Sequence, residues 1–325
     1  MKTALTIFAV AVLSIVAGCN GAAAEKEWFV VNFQKGRTLQ YKFVSSRDIE
    51  INWGYTEGSS KRGKDKPDKS SESMEMVVAY TPIEIGPDGG FTTVKATCKS
   101  VKIKRSKGPQ KDAVKSFAGK SFTFTVDAAG RIEDSSQLDE LIKEIGKKAF
   151  RTDRAKRRTK EPDMIADFIA TQWFLWDSVS SIENPKEGIS VGQSWKSQLS
   201  LPTPMVMREA RDVTYTLKEI RQTPKGRVAV IRSTYSPAKS VPASWPIPYV
   251  GTFQMKGKFG FFRSYKILDL QGRGEELFNI DAGRTERYNQ RYQVKLKASF
   301  PMPLAGATPQ ITIEQKLTMQ LLGNP

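Results

Sequence analysis

Histidine is absent from this 325-residue chain, and cysteine occurs only at Cys19 and Cys98. The first absence removes Ser-His and Cys-His nucleophile pairs and every imidazole metal ligand. The second removes a cysteine-rich zinc site and a disulfide framework. Carboxylate pairs, Ser-Lys dyads and tyrosine remain as catalytic chemistry, and none is marked by a local pattern. No cofactor is expected. Acidic residues are in deficit, 34 against 51 Lys and Arg, for a net charge of +17. That balance suits contact with anionic surfaces such as head groups or acidic polymers.

The start of the chain sets the compartment. Met1-Lys2-Thr3 is short and positive, and Ala4 to Val16 is uncharged and mostly apolar. That run is too short for the roughly 20 residues of a membrane-spanning helix and has the proportions of a secretory signal. It closes on Val16-Ala17-Gly18-Cys19, which resembles the lipobox of bacterial lipoproteins. The resemblance implies a signal peptide over 1–18, a lipidated Cys19, and an anchor and tether over 19–34. An anchored protein of the cell envelope follows, with no nucleic acid among its partners. Asn20 in place of Asp favours the outer membrane. The alternative is cleavage after Ala22-Ala23-Ala24, giving a soluble periplasmic or secreted protein. With Cys19 lipidated, Cys98 is left as a small buried hydrophobe.

Two stretches, 35–134 and 183–325, alternate as β structure and flank a helical block over 135–182. In the first, Leu39, Tyr41 and Phe43, then Ile49, Ile51 and Trp53, read as two strands. Gly58 to Ser73 has no apolar residue and reads as a loop, as does the basic run Ser106 to Gly119. Met74 to Ile85 and Phe91 to Ile103 form a hairpin through Gly86-Pro87-Asp88-Gly89-Gly90. In the second stretch, Ile311, Ile313, Leu317, Met319 and Leu321 alternate with polar residues. Similar turn motifs recur in order in both stretches: Phe278-Asn-Ile-Asp-Ala-Gly-Arg284 echoes Phe124 to Arg131. They fit either a duplicated β module or generic turns that recur by chance.

Between them, Leu138, Leu141, Ile142, Ile145 and Ala149 mark one helix, with Ser136-Gln-Leu-Asp139 as a capping box. Pro162 opens a second helix that runs to about Val179 and places Phe168, Trp173 and Trp176 on one broad side, with Phe174 beside them. Its polar residues Asp163, Asp167, Gln172 and Asp177 argue against a membrane span. Asp163 and Asp167 share a face, as paired carboxylates for a hydrolase would, but a solvated helix edge accounts for them better. The eight basic residues Lys147, Lys148, Arg151, Arg154, Lys156, Arg157, Arg158 and Lys160 make an exposed connection that could dock on an anionic envelope polymer. Val241 to Tyr249, with three prolines plus Trp245 and Tyr249, is a stiff loop outside any central strand.

The fold read from this pattern is α+β: a large curved antiparallel sheet, half-barrel-like, covered by two central helices. With the lipobox, this layout resembles the bacterial lipoprotein-carrier (LolA-like) family, whose half-barrel and helical lid imply lipid binding. No functional residue carries over. The expectation is a non-enzymatic envelope lipoprotein that holds a lipid or other apolar ligand near Phe168, Trp173, Phe174, Trp176, Trp245 and Tyr249. Docking on anionic polymers is the second reading, and a carboxylate-based hydrolase the third.

Overall fold

In a computed structural model, residues 26–54, 66–108, 110–152, 157–300 and 308–323 are described. Eleven strands make one antiparallel sheet. The first half of the chain supplies β1 (Leu39–Asn52), β2 (Asp68–Ile85), β3 (Phe91–Arg105), β4 (Ser121–Asp127) and β5 (Ile132–Asp134). The second half supplies β6 (Ser194–Ser200), β7 (Ala210–Thr223), β8 (Gly226–Pro237), β9 (Ser264–Asn279), β10 (Arg284–Ser299) and β11 (Gln310–Leu321). Their order is β6-β7-β8-β9-β10-β11-β1-β2-β3-β4-β5. Every neighbour is consecutive in sequence except β11 and β1, whose pairing from Gln310↔Asn52 to Leu321↔Tyr41 joins the halves. The edges β5 and β6 do not meet, so the sheet is open.

Curvature has two local causes. Register shifts interrupt the β2–β3, β7–β8 and β9–β10 ladders, the last of them at Ile267/Asp269 and Leu277/Phe278. On β9, Gly272 and Gly274 stand where inward side chains belong. A Cβ on Gly272 would lie 2.4 Å from the Tyr292 Cβ, and one on Gly274 2.4 Å from the Tyr235 hydroxyl. Neighbouring tyrosines take the space beside the bare backbone, where glycine permits a bend.

Helices α1 (Ser136–Lys148), α2 (Ile165–Phe174) and the single turn α3 (Asp177–Ser180) cover the inner face. Leu138, Ile142 and Ile145 of α1 join Ile165, Phe168 and Phe174 of α2 in one core with Tyr41, Phe43, Met76, Phe122 and Phe124 from the sheet. The mainly antiparallel sheet with covering helices is the architecture expected from the alternation.

Several local expectations are corrected. Residues 39–52 form one strand rather than two, because Ser45 and Arg47 continue the inward phase as buried polar residues. The loop expected over Gly58 to Ser73 is strand from Asp68 onward, paired to β1. Within Ser106 to Gly119, Ala113–Phe117 forms a 3-10 turn capped by Asp112, which accepts from the Val114 N–H at 2.9 Å. It buries Val114 and Phe117, and the Phe117 ring stacks on Phe168 at 3.9 Å. The second helix breaks after Phe174 instead of running unbroken to Val179. At α1 Ser136 is already helical and Ser135 holds the N-cap position without a side-chain cap bond, while the Ser136 N–H donates to Asp134 at 3.0 Å. The basic connection includes strand as well: Phe150–Thr152 pairs with Arg158–Lys160, which also pairs with Gln254–Met255.

Candidate functional site

Alternation puts one row of side chains per register line on the inner face, and two of these lines are polar. Cross-strand partners run Arg105–Glu72–Arg47–Gln315–Tyr292–Gly272–Tyr235 through β3, β2, β1, β11, β10, β9 and β8. The adjoining line carries Gln290, Gly274, Ser233 and Tyr215 on β10, β9, β8 and β7. A belt of hydrogen-bonding groups therefore crosses an otherwise apolar interior. Each such group needs a partner, because an unpaired polar group out of water costs about 1–3 kcal/mol.

The helices supply many of those partners. Asp167 on α2 accepts from Arg47 Nη1 at 2.8 Å, Ser45 Oγ at 2.8 Å and Gln315 Nε2 at 3.0 Å. Gln172 accepts from the Tyr80 hydroxyl at 2.8 Å. At α3, Asp177 accepts from Ser197 at 2.8 Å and Tyr215 at 2.7 Å. Asp163, before α2, takes Lys160 at 2.9 Å and the Tyr249 hydroxyl. The solvated helix edge expected for Asp163 and Asp167 is thus overturned: both are buried, because the facing strands carry donors for Asp167, and Lys160 with Tyr249 supplies them to Asp163.

Burial and charge compete across the belt. Burial would raise Glu72, but Arg47 and Arg105 outweigh it and hold its carboxyl below the ordinary value. Burial pushes Asp177 up to about 6, despite its hydroxyl donors and the weaker pull of Arg211 and Arg131. Glu276 on β9 is pushed up to about 7 by burial, with the Thr285 hydroxyl at 2.6 Å as a partial offset. Among the described residues no group of three or more His, Cys, Asp or Glu side chains could hold a metal ion.

Against the inner face, Phe168, Phe174 and Trp176 are buried packing residues. Phe174 meets Phe43 and Tyr288, and Trp176 meets Tyr80 and Phe124. Trp173, Trp245 and Tyr249 come together elsewhere, on the opposite side of α2. There the proline-rich strap 241–249 and the segment 200–209 enclose a cleft of about 230 Å³ with Ile169, Met205 and Ile247. Gly146 admits the strap to α1: a Cβ there would lie 2.1 Å from the Pro248 carbonyl oxygen. The strap is also held at Tyr249, whose ring lies under Lys160 Nζ at 4.1 Å.

Of the basic candidates, Lys147, Lys148, Arg151, Arg157 and Arg158 are exposed, while Arg154 and Lys156 lie outside the described residues. Lys148 faces Glu144 at 3.4 Å, Arg151 faces Glu161 at 3.3 Å, and Arg158 donates to the Val250 carbonyl at 3.0 Å. Lys160 does not belong to this surface, because its ammonium is buried on Asp163. Cys19 also lies outside the described residues. Sequence reading passed over Ser45, Arg47, Glu72, Gln315 and Arg211. The available signal was a polar residue in the apolar phase of a strand, as in Ile311-Thr-Ile-Glu-Gln315-Lys-Leu-Thr-Met319.

A profile described as a family of unknown function (DUF6263) matches residues 71–225, short of half of the chain. No curated protein matches. Among solved structures, the outer membrane protein OprG from Pseudomonas aeruginosa aligns at 6% identity over 89% of this chain and 96% of its own, with a TM-score of 0.19. Acinetobacter baumannii OccAB4 aligns at 8% identity over 89% and 99%, with a TM-score of 0.18. Superpositions this poor carry no argument about this fold or its role.

Proposed function

We propose that this protein is a non-enzymatic binding module of the bacterial envelope, anchored through Cys19, that holds an apolar group in the cleft between α2 and the proline-rich strap. The carrying observation is the convergence of Trp173, Trp245, Tyr249, Ile169, Met205 and Ile247 around about 230 Å³. An apolar cavity of about 150 Å³ is enough to take up benzene, whereas whole-ligand pockets start at roughly 300 Å³. The cleft therefore suits one acyl segment or ring, with the rest of the ligand outside. The exposed residues Val206, Ile247 and Val250 extend its apolar rim. The lipobox and the general likeness to lipoprotein carriers support a lipid chain as the ligand.

Gentle purification followed by native mass spectrometry and lipid extraction tests this reading. A stoichiometric lipid adduct, lost on Trp173→Asp, is the expected result. An apo mass, together with unquenched tryptophan fluorescence in the presence of a brominated single-chain fatty acid, would remove it.

A second reading is docking of an anionic envelope polymer on Lys147, Lys148, Arg151, Arg157 and Arg158. Their common exposure near the strap favours it. It requires binding that weakens steeply with salt.

A further inference from the structure

Arg211 on β7 is 1% exposed, yet among the described residues no carboxylate forms an ion pair with it. Its guanidinium carbon lies 4.7 Å from the Tyr235 ring centroid and 4.4 Å from that of Tyr292, and Nη2 donates to Gln290 Oε1 at 2.9 Å. Among the described residues, Nε and Nη1 have no partner. Asp177, the acid whose carboxyl feels Arg211, commits its oxygens to Ser197 and Tyr215.

The unpartnered donors continue along the belt. The hydroxyl of Tyr292, whose ring lies against Arg211, is also buried without a partner among the described residues. Tyr292 is the cross-strand neighbour of Gln315, and Gln315 of Arg47, whose Nη2 is unpartnered as well. Four buried donor atoms on β1, β7 and β10 are thus left over, against one acceptor, Gln315 Oε1. Water would satisfy their hydrogen bonds but not the charge of Arg211. An isolated buried charge costs several kcal/mol, and a counter-charge offsets that cost.

We propose that Arg211 and Tyr292 form a buried binding site for one small inorganic anion. Arg211 Nε and Nη1 and the Tyr292 hydroxyl are the donors, and the tyrosine rings wall the site. The donors are buried, which sets the size class: a small inorganic anion fits the proposal, and the much larger gluconate serves as the non-binding reference.

The test uses the purified protein dialysed into sodium gluconate, then titrated with sodium bromide or nitrate at constant sodium. The urea midpoint should rise and then follow the logarithm of anion concentration above the dissociation constant. Bromide-soaked crystals should show an anomalous peak within hydrogen-bonding reach of Arg211 Nε or Nη1. Tyr292→Phe keeps the ring and removes one donor, and should weaken the apparent affinity about tenfold. Arg211→Met should abolish the anion response. Equal midpoints in gluconate, bromide and nitrate without a peak at Arg211 would overturn the site. So would an undiminished response in Tyr292→Phe, which decides the matter if Arg211→Met does not fold.

Discussion

Asp167 on α2 and Arg47 on β1 stand 120 residues apart in sequence and meet at 2.8 Å, both within the covered inner face of the sheet. The contact ties helix to strand at a point where three further groups converge, since Glu72 shares Arg47 while Ser45 and Gln315 share Asp167.

Removing the acid leaves a guanidinium with one carboxylate and two buried strand residues short of an acceptor. Asp167→Ala should therefore destabilise by about 3–5 kcal/mol in urea unfolding. The double variant Asp167→Leu with Arg47→Met should recover a substantial part, because it removes both charges. A loss below about 1 kcal/mol in the single variant would mean that water takes over the contacts.

Glu276 predicts a pH dependence of opposite sign to that of Glu72. Its folded pKa, pushed up to about 7 by burial, lies above the ordinary value of 4.5. Its contribution is thus fully present below pH 4.5 and is lost as pH rises through 7. Glu72, held low, contributes stability above its ordinary value and loses it as pH falls. Glu276→Gln should leave stability at pH 4.5 nearly unchanged and raise it at pH 8, by at most about 3 kcal/mol. Paired urea curves at the two pH values read this directly, and equal effects at both would refute it.

Gly146 separates helix propensity from strap docking. Alanine gains about 1 kcal/mol in a helix interior. Here its Cβ would meet the Pro248 carbonyl oxygen at 2.1 Å, so the strap must move. Gly146→Ala should keep the circular dichroism of the fold, shift the tryptophan emission and abolish uptake of the fatty-acid probe. An unchanged emission maximum would show that the strap accommodates the methyl.

Cys19→Ser tests the proposed anchor. The variant should leave the membrane fraction and appear soluble in the periplasm, and [³H]palmitate labelling should vanish. Continued membrane association would favour contact through the basic surface or cleavage nearer Ala24.

Much of the architecture was legible because it rests on short-range rules. Period-two alternation marked the strands, and a 3.6-residue apolar face marked α1. The Pro-Asp-Gly turn joined β2 to β3. The same rules failed where a strand or loop carried residues chosen by a distant partner. Ser45 and Arg47 read as a break in β1, although they only change the chemistry of its inner face. Asp163 and Asp167 read as a wet helix edge, since nothing local announces that Arg47 faces Asp167 or that Lys160 turns inward onto Asp163. Phe117 read as part of a solvated loop, although it stacks on Phe168 fifty-one residues later.

The amino-acid sequence alone determined the exclusion of histidine chemistry and an antiparallel sheet with covering helices. Those follow from composition and from periodicities that each segment expresses by itself. Only the tertiary structure decided that β11 pairs with β1, and that polar residues from seven strands line up as a belt. It likewise put Trp173, Trp245 and Tyr249 around one cleft while burying Phe174 and Trp176 elsewhere. Register and helix docking set these neighbours, and both are properties of the assembled sheet.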